Sequence, residues 1–281
     1  MADIRQAYHI CIDALRRCMV NPRIYISLIL VIVLMQPLIS PIGKFAEWAE
    51  IPSSPWLFPF LAQHYYIQTI MLFGVVLLFC DAPFINEGTP YLLIRAGRKN
   101  WFWGQIGYIF FASLIYFLLI IAASILLLAP HVALGMEWGK ILKTLGLANA
   151  SLQVGTEQLD ASLQAAYAPM QAMFISLLAS WMNGVLIGVV IFFANLIANR
   201  SMGPITGALL SALPYFAVNG SNIKTIYYFV PSTWMDIMRI NSAGMPSFLY
   251  AALFLGIAIS SLIVLSYLSI RKRAIDVLPS I

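Results

Sequence analysis

Charge is scarce in this chain. Only 10% of its 281 residues are Asp, Glu, Lys or Arg, against 61% hydrophobic. A water-soluble domain does not stay soluble at that ratio. Catalytic equipment is scarce too. There is no G-x-x-x-x-G-K-[ST] phosphate loop, no H-E-x-x-H and no G-x-S-x-G. P-loop nucleotide binding, zincin chemistry and nucleophile-elbow hydrolysis therefore have no residues to use. The three histidines, His9, His64 and His131, are far apart in sequence. They fall on opposite membrane sides in the topology derived below, which argues against a shared metal site. The three cysteines, Cys11, Cys18 and Cys80, all fall near one side. No disulfide framework is expected, and Cys11 and Cys18 read as small hydrophobes on one apolar helix face. The apolar runs themselves carry almost no ionisable residue. Asp81 stands just past one end of the Trp56–Cys80 run, and His64 lies near the other end of the same run with Gln63 and Gln68. An ion-coupled carrier usually needs midplane carboxylates or broken midplane helices. Energy for any transport has to come from elsewhere, or the protein is passive.

What the chain has in abundance is long apolar sequence. A span needs roughly 20 apolar residues to cross about 30 Å of hydrocarbon. Six stretches qualify as candidates: Ile24–Ile39, Trp56–Cys80, Trp101–Leu128, Met173–Ala198, Gly203–Val218 and Phe248–Ile270. The first and fifth are short, and the fifth contains Pro204 and Pro214. The expected fold class is an all-α integral membrane protein, one transmembrane domain over residues 1–281 with six transmembrane helices. Basic residues orient it. Arg5, Arg16, Arg17, Arg23, Arg95, Arg98, Lys99, Arg200, Arg271, Lys272 and Arg273 fall on one side. Lys44, Lys140, Lys143, Lys224 and Arg239 fall on the other, in much longer loops. Both termini are predicted to lie inside (N-in, C-in). The net charge of +5 reads as topology plus attraction to anionic headgroups, so membrane lipids are expected partners. Nucleic acid is not, because the basic residues are scattered over four short segments. No cleavable signal peptide is expected, since the N-terminus opens on a charged amphipathic stretch.

Residues 2–20 read as an interfacial helix. Ile4, Tyr8, Cys11, Leu15 and Met19 recur at helical steps, with Arg5, His9, Asp13, Arg16 and Arg17 opposite. Asn21-Pro22 breaks it. Ile42–Pro55 reads as an external loop with Trp48 and Trp56 as headgroup-level anchors. The stretch 82–100 is too apolar for a solvated loop. Thr89 reads as an N-cap, Pro90 as the first helical residue and Gly97 as the stop. A short helix is expected there, presenting Glu87, Tyr91, Arg95, Arg98 and Lys99 to whatever lies beneath. The connection 130–170 is external, with short amphipathic helices expected at Trp138–Lys143 and Asp160–Tyr167. Gly184 and Gly188, like Gly203 and Gly207, are spaced for close helix approach. Intramolecular packing and a dimer seam both use that spacing. Segment 220–247 is external yet carries Tyr227, Tyr228, Phe229 and Trp234 around Pro231. An external re-entrant hairpin and a surface helix both fit it.

Taken together, the amphipathic helix at Ala2–Met19, six spans, the short helix at Thr89–Gly97 with Arg95-Ala-Gly-Arg98 and Trp101, and the broken apolar hairpin at Ile226–Met238 resemble the membrane subunit of type-two ABC exporters. The resemblance covers nearly the whole chain and rests on architecture. It implies an elbow helix (2–20), a cytoplasmic coupling helix (82–100) contacting a separate ABC ATPase subunit through Glu87, Tyr91, Arg95, Arg98 and Lys99, and an external gate at Tyr228, Phe229 and Trp234. It implies a second permease subunit, identical or homologous, and ATP and magnesium held by the partner ATPase, with no cofactor on this chain. This chain would then be non-catalytic, sited in a bacterial cytoplasmic membrane. The cargo would be lipid-like or an amphipathic peptide. An ATP-independent channel, carrier or assembly factor is the competing expectation, with an integral-membrane enzyme behind it.

Overall fold

The computed structural model describes residues 4–84, 89–147, 151, 154–155, 158–199, 201–220, 224–240 and 242–272. The described residues are mostly helical, and among them the only extended pairing is an isolated bridge between Ser53 and Val132. Among the described residues four helices are long and apolar enough to cross a bilayer: Pro22–Trp48, Leu93–Leu128, Pro169–Ile197 and Phe248–Ile270.

Helix α1 (Ile4–Val20) ends where Asn21 turns extended. The Asn21 side-chain oxygen accepts from the Arg23 backbone N–H and so caps α2 (Pro22–Trp48). Pro22 opens α2, where its missing N–H costs nothing. Two expectations need correction here. The first span does not stop at Ile39. Helix α2 runs on through Pro37 and Pro41 to Trp48, so Lys44, Glu47 and Trp48 ride its last turns rather than a loop. Prolines of this kind persist in apolar helices because neighbours re-satisfy the freed carbonyls. The second span is not one helix. It breaks at His64, whose ψ of 111° is extended, into α3 (Phe58–Gln63) and α4 (Tyr65–Phe79). At 15 residues, α4 spans only about 22 Å at ~1.5 Å per residue.

Helix α5 (Thr89–Leu128) is bent off its own first turns at Gly97, which sits at φ 80° and ψ 153°. Two short helices follow, α6 (Gly139–Leu145) and α7 (Ala161–Ala166). They match the two expected near Trp138 and Asp160. Helices α8 (Pro169–Ile197) and α9 (Met202–Asn219) are joined by a tight turn. Two 3-10 turns, Lys224–Tyr228 and Pro231–Met235, lead into α10 (Phe248–Lys272).

Helix α8 is the hub, packing against α3, α4, α5, α9, α10 and the second 3-10 turn. In its most apolar stretch 56% of residues are buried, against 17% for α10, which lies at the rim. Small residues set these distances. A Cβ on Gly188 would sit 2.7 Å from the Ile109 side chain and 2.9 Å from the Phe79 ring; one on Gly184 would sit 2.8 Å from Phe117. Gly207 faces Ile191 and Val76 in the same way, and Gly203 faces Asn195. All four glycines thus lie at contacts within the chain. Gly188→Leu is expected to cost about 1–3 kcal/mol by overpacking, read as a lower unfolding temperature in detergent. An exposed-helix control, Gly256→Leu, has nothing within 4 Å of its Cβ and should leave that temperature unchanged.

Candidate sites at the two ends of the bundle

One end of the bundle carries α1, the bend at Gly97 and the turn between α8 and α9. Helix α1 is seated along the first half of α5. Gly104 lets Ile10 in so closely that a Cβ would meet it at 2.6 Å. Asn100 donates from its side chain to Gln6 at 2.8 Å. Cys11 is buried, and burial pushes the Cys11 and Cys18 thiols above the usual thiol range. The amphipathic pattern of α1 therefore has a protein surface under its apolar face, at Ile10 and Cys11.

Beyond Gly97 the chain turns outward. Tyr91 is 77% exposed and Ile94 85%, and Arg95, Arg98 and Lys99 are exposed too. Large apolar side chains and cations thus share one protruding, bent-off helical turn. Glu87 lies outside the described residues.

Behind this turn is a polar junction that sequence reasoning missed. Asn195, near the end of α8, is 7% exposed. Its side-chain nitrogen donates to the carbonyls of Ala82 at 2.6 Å and Cys80 at 3.2 Å. Its oxygen accepts from the backbone N–H of Gly203 at 2.7 Å. One amide thereby ties the exit of α4, the end of α8 and the start of α9. Beside it Arg23 of α2 is paired with Asp81 and donates to the Cys80 sulfur. The available signal was an Asn inside the apolar run FFANLIAN. Asn195→Ala is expected to strand the buried Gly203 N–H and Ala82 carbonyl, at about 1–3 kcal/mol each. The unfolding temperature should drop clearly further than for Asn219→Ala, whose side chain only bonds back to Tyr215 of its own helix.

The opposite end is a cap. Trp138 is its centre: the indole N–H donates to Tyr167 O at 3.0 Å, and the ring meets Phe60 edge-on at 5.2 Å. Ser54 donates to Trp138 O, Trp56 to Gly135 O, and in the Ser53–Val132 bridge the Ser53 N–H donates to His131 O and the Ala133 N–H to Ser53 O. Gly139, at φ 72°, allows the chain to turn under Ser54, and a Cβ there would be strained and 3.3 Å from Ser54 Cβ. The connection 130–170, read as an external loop, meets α2 through α6 and α3 through the Trp138–Phe60 and Asp160–Gln63 contacts.

The second of the two 3-10 turns is wedged into the same end, and the first packs on it. Pro231–Met235 is wholly buried, packed among α4, α8, α9 and α10. Trp234 is 1% exposed. Its indole N–H donates to Tyr227 O at 2.8 Å, and its ring lies against Tyr250 and Phe254. Tyr250 in turn donates to Tyr228 O. Of the three expected gate residues, Trp234 is a core anchor, Tyr228 is half-buried and Phe229 points outward at 67% exposure. Asp236 accepts from Arg239 at 3.3 Å, and the guanidinium covers the Tyr227 ring. Burial pushes the Asp236 carboxyl above the usual carboxylate range, against the pull of Arg239. Next to the turns, the rings of His64, Tyr65, Tyr66 and Tyr215 cluster where α4 begins and α9 nears its end, His64 stacked on Tyr65 and Tyr215 tilted or edge-on to the two tyrosines. No sequence pattern had joined those four.

Among the described residues no three His, Cys, Asp or Glu side chains come together as metal ligands. Comparison of the chain with protein-family models, curated proteins and solved structures finds no match.

Proposed function

We propose that this chain is the membrane subunit of an ATP-driven exporter, energised by a separate ATPase chain docked beneath the turn 89–99. The observation that carries the reading is the protruding turn bent at Gly97, bearing Tyr91, Ile94, Arg95, Arg98 and Lys99, directly beside an elbow helix packed on the same α5. A partner pressing on that turn acts on a rigid lever. Asn195 and the Arg23–Asp81 pair then link the neighbouring helix ends, so movement reaches α2, α4, α8 and α9 together. A ligand shifts such an equilibrium only by binding one state better than the other. ATP binding on the partner supplies that difference.

In this reading the six spans are α2, the broken α3–α4 pair, α5, α8, the short α9 and α10, with both ends inside a bacterial cytoplasmic membrane. The two 3-10 turns, the second of them buried, form the outer gate, and a second permease subunit completes the pathway. The apolar walls favour a lipid-like or amphipathic cargo. Topology is tested by single cysteines: Tyr91→Cys should react only with reagent added from inside, and Leu134→Cys, 91% exposed in the cap, only from outside. The reverse pattern overturns the orientation. The function is tested by purifying the tagged chain from its native membrane. A nucleotide-hydrolysing subunit of about 25–35 kDa, the size of a single domain with additions, should accompany it. Recovery of the chain alone, with no stimulation of ATP hydrolysis, would favour an ATP-independent channel, carrier or assembly factor.

A further inference from the structure

A half-open pocket of about 240 Å³ lies where the cap meets α2. Three segments that the exporter reading leaves without a common purpose meet there: the stretch before α7, the break after α3, and the buried hairpin. Ile42, Leu57 and Phe60 give the cavity an apolar wall, and Asp160, Asp236, Gln63 and His64 give it a polar one. The two carboxylates are not equivalent. Asp236 is answered by Arg239 at 3.3 Å. Asp160 accepts only from neutral donors: Gln63 Nε2 at 3.1 Å, and the backbone N–H and hydroxyl of Ser162. Among the described residues Asp160 forms no ion pair. Its position at the N-cap of α7 does not account for the charge, because asparagine caps a helix as well as aspartate. A carboxylate on the wall of a partly apolar cavity attracts a cation more strongly than one in open water.

We propose that this cavity binds a small organic cation with an apolar body, its ammonium group beside Asp160 and its hydrocarbon against Ile42, Leu57 and Phe60. The volume lies below the ~300–1,000 Å³ of drug-sized sites, which selects a compact ligand. Anions are repelled by the Asp160 carboxylate, whose hydrogen bonds all come from neutral donors, and a wholly apolar guest would leave that charge uncompensated. The site does not depend on how the protein is energised.

The test uses the full chain in phosphatidylcholine nanodiscs, with empty nanodiscs as the partition control. The probe is 2-phenylethylamine, with 2-phenylethanol as its uncharged counterpart, measured by equilibrium dialysis. Saturable amine binding above the empty discs is expected, at least tenfold tighter than the alcohol. Asp160→Asn, which keeps the cap, should weaken the amine at least tenfold and leave the alcohol unchanged. Ile42→Trp should fill the cavity and remove saturable binding, while Asp13→Asn on α1 should change nothing. Binding no greater than to empty discs overturns the proposal. So does equal affinity for amine and alcohol in the unmodified chain, or amine binding that survives Asp160→Asn undiminished.

Discussion

Reversing Arg95 and Arg98 to glutamate is expected to detach or uncouple the ATPase while the chain still inserts and folds. Arg95 on the bent-off turn and Arg98 just past the bend are both exposed, and the fold is held mainly by α8 and its neighbours. A partner that reads this turn must place acidic groups against it, so reversal turns attraction into repulsion as well as removing a contact. Two such changes should lower ATPase retention at least tenfold, about 1.4 kcal/mol or more. Three measurements separate the outcomes: membrane content of the variant, the amount of ATPase that co-purifies, and cargo-dependent ATP hydrolysis. Normal insertion with loss of the other two supports coupling through this turn. Unchanged hydrolysis in the double variant would sink the coupling role. Raised salt should mimic the variant in part, because exposed charges are screened within about 8–10 Å at ordinary ionic strength.

Trp234→Ala should be the most damaging single truncation at the opposite end. The indole is 1% exposed, lies 5.3 Å from the Phe254 ring and 5.9 Å from Tyr250, and donates to Tyr227 O. Removing it leaves a cavity among α8, α9 and α10 and an unpaired carbonyl. Buried Trp→Ala changes cost about 3–5 kcal/mol, and the lost hydrogen bond is part of that figure. Trp234→Phe keeps the ring contacts and loses the donor, so a loss of about 1 kcal/mol is expected. A thermal-unfolding series of the three chains in detergent checks the order. The gate reading adds a separate result. Trp234→Phe should change basal ATP hydrolysis or export in the reconstituted complex although its unfolding temperature is nearly normal. If only stability moves, and in proportion to packing lost, the hairpin is a structural plug and not a gate. Phe229, exposed and pointing away from the helices, is the place for a spin label. A purely aqueous signal there, in every nucleotide state, removes membrane insertion of the outer face of the hairpin.

Sequence alone determined that this is a helical chain with apolar helices of membrane-spanning length, because 61% hydrophobic residues in runs of about 20 have no other stable arrangement. It also located the stop at Asn21-Pro22, the helical turn before Gly97 and the short helices beside Trp138 and Asp160. Each depends on a local rule: a proline without an N–H, a glycine at positive φ, a side chain capping the next turn. Tertiary structure decided the rest. The sequence does not say that α2 outlasts Pro37 and Pro41, or that the second apolar run breaks at His64. Both outcomes depend on which neighbours satisfy the freed backbone. Neither could local pattern reveal that Asn195 would hold Ala82 and Gly203, that Trp138 would organise a cap from residues on either side of α5, or that Asp160 and Asp236 would share a cavity wall. Those partners are separated by up to 113 positions along the chain. Periodicity records which side of a helix is apolar; only the packed bundle determines what that side meets.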